Sequence, residues 1–420
     1  MIKSMKRFVL YLFLFQSSYL VTGQVIADHT VVELYDDIPQ EWIDVVKTKL
    51  VWIPGMSHGY GYFRGAELLE ELDGRFQVNI WYHTDAPANL SEGLRLGRPL
   101  FGSESSWTQP AGVDATEKEI KNQFDNGNPY DYMLFGWSYQ ATSENGLGGG
   151  LDPEHKIHWA GSTKSGIDGN LRWGLDEGDV DLTGNRVCMD TYINAVNQWN
   201  DYSSDNSYVT KYFFSNGVVD GNEGTELAFQ RELKNQHVRD YVDEYGNSDT
   251  YFFDYCDILI HNDAGEKYQA NWNDNGTVRI HDQIHPDNMI DVTTSLQEGI
   301  MDDHIGDVGT IRLAKAMWWL LARAAGWDGT PDGVTTDDKH IQNSASLSKV
   351  YVTNDEIRVE LDESLGYERL DLYNISGVLL ENIKIDSDQC VFNVSGYPAG
   401  IYIVKMSNPS TSTVKKVLVR

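Results

Sequence analysis

Short apolar segments alternate with amphipathic helical segments along most of the chain, and this alternation limits the possible folds more than any other feature. The segment KTKLVWIP at 47–54 is an apolar run that ends at a proline and a glycine, as buried strands do. Strands are predicted at 47–54, 75–82, 130–138, 208–217 and 250–260, and helices at 62–72, 114–124, 189–202, 225–242 and 308–324. This order predicts an α/β fold, a parallel sheet covered by helices on both faces, which binds ligands beyond the carboxyl ends of its strands.

The two ends of the chain differ from this pattern. Residues 1–24 start with a basic segment, continue with a short apolar run and end in small and polar residues, which predicts a signal peptide, with a membrane anchor as the alternative. Residues 345–420 alternate apolar with polar side chains and predict a small antiparallel β-sandwich. Between them we expect an α/β domain at 25–329 and a linker rich in Gly, Asp, Ser and Thr at 330–344.

Charge and composition exclude several classes of function. The chain has 33 Lys and Arg against 63 Asp and Glu, for a formal charge of −30. This argues against nucleic acids and anionic membrane surfaces as partners, because both require clustered basic residues. No stretch after residue 24 has 18 consecutive apolar residues, so we expect no membrane-spanning segment once the signal peptide is removed. The three cysteines are far apart, which predicts neither a zinc site nor a disulfide scaffold.

Two predicted junctions carry residue types suited to acyl transfer. Ser57 follows the first predicted strand and precedes a helix, where the helix N-terminus can stabilise developing negative charge. His304 precedes the last helix and is flanked by Asp302 and Asp303, so it can act as a general base oriented by an acid. The structural alternatives are that Ser57 only caps its helix and that the aspartates only cap the last one.

This order of elements resembles the SGNH (GDSL-like) hydrolases, in which a serine near the start and a histidine near the end of the domain meet over a flavodoxin-like sheet. The resemblance implies a flavodoxin-like three-layer α/β/α sandwich, Ser57 as the nucleophile and His304 as the base. The family's Gly-Asp-Ser block is here Gly55-Met56-Ser57, and Met301 occupies the usual place of the orienting acid, which leaves Asp302 or Asp303 for that role.

The family also implies an oxyanion site. By this resemblance, the oxyanion would be held by backbone N–H groups of Ser57 itself, of Gly97 in LRLGRP, and of Gly136 after the third predicted strand. The Asn that usually supplies a further donor is absent, because the block after that strand reads Gly136-Trp137-Ser138-Tyr139.

The C-terminal region resembles a second known family. Its segments LYNISGVLL, YPAGIYIVKM and the terminal KKVLVR are similar, in that order, to the C-terminal sorting domain of the type IX secretion system in Bacteroidetes secreted proteins. The resemblance implies passage through the periplasm, recognition by the type IX secretion machinery, and release or attachment at the cell surface. An ordinary sandwich, such as a carbohydrate-binding module, is the alternative.

A long insertion at 139–187 follows the third predicted strand and is expected above the site. Aromatic rings can stack on sugar rings, so Trp137, Trp159 and Trp173, together with His58, are predicted to contact substrate, with core packing as the alternative. His155 and His158 lie three residues apart, but in a loop rich in glycine, so no metal site is predicted there. The chain has no P-loop, no GxGxxG before a helix and no HExxH, and no cofactor is predicted.

These observations lead to an expected function. We expect a secreted serine esterase that removes acyl groups, chiefly acetyl, from an extracellular polysaccharide or oligosaccharide. Another carbohydrate-active enzyme on the same scaffold, such as a polysaccharide lyase or a glycosidase, is the first alternative, and a non-catalytic glycan-binding protein is the second.

Overall fold

The fold is taken from a computed structural model of the 420-residue chain. The structure describes residues 23–55, 57–82, 93–98, 105–137, 147–161, 167–217, 224–291, 305–330, 349–353, 356–361, 366–374, 379–385, 387, 389–397, 400–408 and 412–419. The chain divides into two compact units, Met1–Asp332 and Gly333–Arg420. Nearly all of the predicted signal peptide and of the predicted linker lies outside the described residues. None of the helices described is long and apolar enough to cross a lipid bilayer.

The first unit is built on one parallel sheet, which confirms the α/β prediction. In the described part of the chain the sheet has seven strands in the order β1-β7-β6-β5-β2-β4-β3, and every pair is parallel. The five predicted strands, β3-β2-β5-β6-β7, follow the flavodoxin order, while β4 is inserted between β3 and β2 and β1 is added at the other edge. The strands are β1 (Val25–Ala27), β2 (Leu50–Trp52), β3 (Val78–Tyr82), β4 (Leu94–Arg98), β5 (Tyr132–Leu134), β6 (Lys211–Ser215) and β7 (Tyr251–Phe253).

Helices cover both faces of this sheet. One face packs on the 3-10 helix His29–Asp37 and on helices α1, α2, α8 and α9, and the other packs on α3, α4, α6 and α7. Alternate residues of β2 serve the two cores, with Val51 on the first side and Leu50 and Trp52 on the second. The helices are α1 (Gln40–Lys47), α2 (Tyr60–Leu72), α3 (Ser105–Thr108), α4 (Pro110–Asp125), α5 (Val180–Thr183), α6 (Met189–Asp205), α7 (Glu226–Tyr245), α8 (Tyr255–Ile260) and α9 (Asp307–Ala325).

Helices α2 and α9 approach each other closely because glycines remove the side chains between them. A Cβ on Gly65 would lie 1.8 Å from the carbonyl oxygen of Thr310, and one on Gly61 would lie 3.2 Å from Leu313. Ala66 and Ala314 are also fully buried in the shared core. The first turns of α2 and α9 are therefore held together at the carboxyl edge of the sheet.

Two stretches differ from their predicted structure. The predicted strand at 250–260 is a strand only at Tyr251–Phe253, because the carboxylate of Asp254 then accepts the N–H of Asp257 at 3.0 Å and starts helix α8. The polar stretch at 261–289, which lies outside the predicted strands and helices, contains an antiparallel hairpin of β8 (Gln269–Asp274) and β9 (Thr277–Asp282). The apolar residues that alternate in β9, Val278 and Ile280, are 64% and 54% exposed, so they do not form the buried face from which strands are recognised.

The second unit is all-β, as expected. Among its described residues, one antiparallel sheet has the order β10-β11-β14 and another has the order β13-β12-β15-β16. Their buried faces share a core that includes Val359, Leu372, Phe392 and Val404. The strands are β10 (Lys349–Thr353), β11 (Glu356–Glu360), β12 (Arg369–Asn374), β13 (Leu379–Lys384), β14 (Gln389–Asn393), β15 (Gly400–Ser407) and β16 (Ser412–Val419).

Candidate functional site

Ser57 lies just beyond the carboxyl end of β2, in a 3-10 turn that leads into α2. The turn depends on Gly55, whose φ of 144° is unfavourable for residues with a side chain and whose Cβ would lie 2.0 Å from the carbonyl oxygen of Gly136. The end of β2 thus packs directly on the backbone beyond β5. Ser57 is half-buried, and its Oγ lies 3.4 Å from Nδ1 of His58, which is long for a hydrogen bond.

His58 is placed differently from its predicted role in binding substrate. Its side chain is buried, and its carbonyl oxygen accepts a hydrogen bond of 3.0 Å from the hydroxyl of Tyr255. The contact ties the turn that carries Ser57 to helix α8. The burial of the imidazole favours a structural role for His58, and its role in binding substrate stays a prediction.

The predicted base and its acids, His304, Asp302 and Asp303, lie outside the described residues. The chain is described again from Ile305, which directly follows His304 and is buried. A Cβ on Gly61 in the first turn of α2 would lie 3.4 Å from Cδ1 of Ile305. The immediate neighbour of the predicted base therefore packs against the helix that begins after Ser57.

One of the predicted oxyanion donors is already occupied. The N–H of Gly136 donates to the carbonyl oxygen of Pro54 at 2.7 Å, which disfavours its predicted role as an oxyanion donor. Gly97 lies inside β4, between β2 and β3, and its carbonyl oxygen accepts the N–H of Ile53 at 2.9 Å. The roles assigned to the N–H groups of Ser57 and Gly97 stay predictions.

The three tryptophans expected to stack on sugar rings are buried. Trp137 donates from Nε1 to the carbonyl oxygen and hydroxyl of Ser215, both at 3.1 Å. Trp159 donates to the carboxylate of Asp152 at 3.0 Å, and Trp173 packs under the ammonium of Lys234, which lies 3.9 Å from the ring centroid. All three rings are at most 3% exposed. They pack in the interior, which favours the core-packing alternative over stacking on substrate.

A cluster that sequence reasoning missed lies at the carboxyl ends of β1 and β7. Nδ1 of His29 hydrogen-bonds to the carboxylate of Asp257, which also accepts the backbone N–H of His29 at 3.0 Å. His261 donates from Nδ1 to the carbonyl oxygen of Asp257 at 2.9 Å, and its ring stacks on that of His29 with centroids 3.6 Å apart. Four strand spacings, about 19 Å, separate β1 from β2, so this cluster is distinct from the surroundings of Ser57.

The pKa values in this cluster reflect the shared hydrogen bonds. Burial alone would raise the pKa of Asp257, but its hydrogen bonds from His29 lower it to about 2. The same side-chain hydrogen bond raises the pKa of His29, while burial lowers the pKa of His261. The cluster therefore favours an ion pair of charged His29 with Asp257 beside a neutral His261.

The same three side chains are a possible metal-binding group among the described residues, because their ligand atoms lie within 4.8 Å of one another. A metal ion bound by an imidazole nitrogen lies near the plane of that ring. The rings of His29 and His261 are stacked, with only 17° between their planes, so one ion cannot lie near both planes. The arrangement fits a hydrogen-bonded cluster better than a metal centre.

A concavity of about 410 Å³ opens at the opposite edge of the sheet, near the amino ends of β6 and β7. Several of its polar side chains are engaged with the protein. Asn200 bonds both backbone groups of Tyr212 at 2.8 Å, Thr210 donates to the carbonyl oxygen of Tyr130 at 2.7 Å, and Lys211 pairs with Asp249. A binding site needs polar groups that converge on a ligand, so we assign no function to this concavity.

Comparison with known proteins assigns a family to the C-terminal unit but not to the first unit. No curated protein matches the chain. Among solved structures, the CBM51-2 and INT domains of Clostridium perfringens ZmpB are 15% identical over 16% of each chain, with a TM-score of 0.13. A calcium-binding mutant of Bacteroides uniformis beta-glucuronidase 2 is 8% identical over 88% of this chain and 38% of that chain, with a TM-score of 0.20.

A double mutant of Cellulomonas fimi endo-beta-1,4-mannanase is 11% identical over 94% of this chain and all of the other, with a TM-score of 0.17. Scores this low do not indicate a shared fold, so the three structures carry no argument about activity. Residues 353–420, by contrast, match the family described as the secretion system C-terminal sorting domain. The prediction of export is thereby confirmed: the chain ends in a type IX sorting domain and is exported to the cell surface or the extracellular space.

Proposed function

We propose that the protein is an exported serine hydrolase that cleaves ester bonds, with Ser57 as the nucleophile and His304 as the general base. The observation that carries the proposal is the position of Ser57. It is half-buried at the turn between a central parallel strand and α2, the location where open α/β sheets bind ligands. The packing of Ile305 on α2 supports the pairing, because it brings the residue next to His304 against the helix that follows Ser57.

The chemistry follows the usual steps of acyl transfer. His304 takes the proton of the Ser57 hydroxyl as Oγ attacks the ester carbonyl, because a free hydroxyl is a weak nucleophile at neutral pH. The proton then passes to the leaving alcohol, and an acyl-serine forms. Water, deprotonated by the same imidazole, releases the acid and restores the serine. Asp302 or Asp303 stabilises the imidazolium that forms in each step, and the N–H group of Ser57 is the proposed oxyanion donor.

The proposed substrate is an acylated, chiefly acetylated, polysaccharide or oligosaccharide outside the cell. Export places the protein where such polymers occur, and removal of acetyl groups needs only the serine and its base, without a cofactor. The buried tryptophans supply no exposed stacking surface, so sugar contacts would come from other residues near the carboxyl edge of the sheet.

Activity assays on single variants test this proposal. We expect the purified protein to release acetate from p-nitrophenyl acetate and from at least one acetylated polysaccharide in a panel. Ser57→Ala and His304→Ala should each lower kcat by at least about 1,000-fold, because nucleophile and base act as one unit. Ser204→Ala, which changes an exposed serine on α6, should leave kcat unchanged.

Two results would contradict the proposal. Full activity in the folded Ser57→Ala variant would remove the serine from the mechanism. A folded wild-type protein that releases no acid from any ester would leave the alternatives, and assays for unsaturated products, for glycosidic cleavage and for glycan binding would then distinguish a lyase, a glycosidase and a binding protein.

A further inference from the structure

We propose that the ion pair between Arg64 and Asp307 positions the general base relative to the nucleophile. The inference rests on the proposed function, and it assigns roles to two residues that neither attack the substrate nor transfer a proton. Arg64 lies seven residues after Ser57 on α2, and Asp307 lies three residues after His304 at the start of α9. The pair therefore joins α2, the helix that follows Ser57, to the first turn of α9, which begins three residues after His304 in the chain.

The geometry of the pair constrains orientation as well as distance. Nε of Arg64 donates to Oδ1 of Asp307 at 2.9 Å, and Nη2 donates to Oδ2 at 3.1 Å. Two parallel hydrogen bonds between a planar guanidinium and a planar carboxylate fix the relative rotation of the two side chains, which a single contact does not. The two side chains are only 15% and 11% exposed, so solvent weakens the contact less than it would at the surface.

The backbone around Asp307 makes this contact rigid. A Cβ on Gly306 would lie 2.3 Å from the backbone of Met289, and one on Gly309 would lie 2.6 Å from the carbonyl oxygen of Asn288. The hydroxyl of Thr310 donates to the carbonyl oxygen of Asp307 at 2.9 Å. The first turn of α9 is thus enclosed by backbone, and its N-terminus favours the negative charge of Asp307.

The same contacts assign Asp307 a positioning role rather than the role of orienting acid. Both oxygens of its carboxylate accept hydrogen bonds from Arg64, so the carboxylate is committed to the guanidinium. The acid that orients His304 is then left to Asp302 or Asp303. Loss of the ion pair should displace the base by a small distance, and misplacement on the scale of 1 Å is enough to slow catalysis strongly.

Steady-state kinetics on matched variants test the inference. Asp307→Asn and Arg64→Lys should each lower kcat at least about tenfold while KM changes less than about threefold, because the substrate contacts remain. The double variant should lose no more than the more damaged single variant, as expected for two residues that act through one contact. Lys315→Met is the control, since it breaks the ion pair of the same helix with Glu33 and should leave kcat unchanged.

Melting temperatures separate positioning from a purely structural role. The inference requires kcat to fall in variants whose melting temperatures are close to that of the Lys315→Met control. If Asp307→Asn fails to fold, Arg64→Lys takes its place, because lysine keeps the positive charge and loses only the planar guanidinium fork. If the wild type is active and the folded Arg64→Lys variant has an unchanged kcat, this inference is overturned but the proposed function is not. Wild type that hydrolyses no ester and is not labelled at Ser57 by a fluorophosphonate overturns the proposed function, and this inference with it.

Discussion

The turn that carries Ser57 is fixed by two glycines and by the hydrogen bond from Tyr255 to the carbonyl oxygen of His58. Gly55 and Gly136 pair across the ends of β2 and β5, and the N–H of Gly136 is used in holding Pro54. A glycine following the third strand was recognised in the sequence because the family places one there. Which residue packs against Gly136, and therefore which acceptor its N–H binds, depends on the order of the strands in the sheet. No local sequence pattern encodes that order.

At the residue scale, the ion pair of His29 with Asp257 should make stability depend on pH. The pKa of His29 is raised above 6.5, so the stabilisation from its charge is full below pH 6.5 and is lost as pH rises through the raised value. The pKa of Asp257 is lowered from 3.8 to about 2, so its contribution is full above pH 3.8 and is lost as pH falls toward 2. The pair should stabilise the fold most between these limits.

His29→Gln tests this dependence by urea denaturation. The variant should be less stable than wild type at about pH 5, by on the order of 1 kcal/mol, and the difference should shrink at about pH 9. His155→Gln, a change in a half-buried histidine of the insertion, serves as the control. An equal loss of stability at both pH values would show that packing of the imidazole, rather than its charge, matters.

At the scale of elements, the contact of α2 with α9 determines how closely the predicted catalytic segments approach. Gly65→Ala would place a Cβ 1.8 Å from the carbonyl oxygen of Thr310, and backbone cannot move aside as a flexible side chain can. We expect the free energy of unfolding to fall by about 2–3 kcal/mol even though alanine favours helices.

Gly74→Ala is the matched control for this change. Gly74 lies just beyond the end of α2, and a Cβ there would meet nothing within 4 Å, so its free energy of unfolding should change by less than about 0.5 kcal/mol. Equal free energies of unfolding for the two variants would contradict the prediction, because they would mean that α2 and α9 move apart without loss of stability.

The sequence predicts the five longest of the helices described, α2, α4, α6, α7 and α9, but not the four shorter ones, and it predicts five of the seven strands described in the parallel sheet. The spacing in 308–324 predicts α9 to within a residue, because a long buried helix keeps its apolar pattern. Strands β1 and β4 lie outside the predicted elements, because β1 is a short run directly after the predicted signal peptide and Leu94–Arg98 contains only two apolar residues. In the stretch at 250–260 the strand and the buried helix that follows it are both apolar, so the pattern predicts one long strand. The change from strand to helix is made by the N-terminal cap at Asp254.

At the scale of the whole molecule, the two units have separate roles. The last residues match a sorting domain, and its β-sandwich was predictable from alternation and from three ordered segments. The site was less predictable. Ser57 is placed by the order of strand, turn and helix, whereas the cluster of His29, Asp257 and His261 joins residues more than 200 positions apart through the pairing of β1 with β7.

Passage from the periplasm to the surface or the medium should depend on the sorting domain. In a cell with a type IX secretion system, deletion of residues 353–420 should leave the protein inside the cell envelope, whereas the full chain should reach the medium or the surface. Cell fractionation with immunoblotting measures this distribution, and the full-length Ser57→Ala variant controls for effects of expression and activity. A truncated chain that still reaches the outside would contradict the role of the domain.

The most direct test of the central claim is mass spectrometry of the protein after reaction with a fluorophosphonate, a reagent that labels activated serines. The account predicts one adduct per chain on the peptide that contains Ser57, and little or none in the His304→Ala variant, because the hydroxyl is activated only by its base. Absence of the adduct from the folded wild-type protein, or labelling at a different serine, would contradict the assignment of Ser57 as the nucleophile.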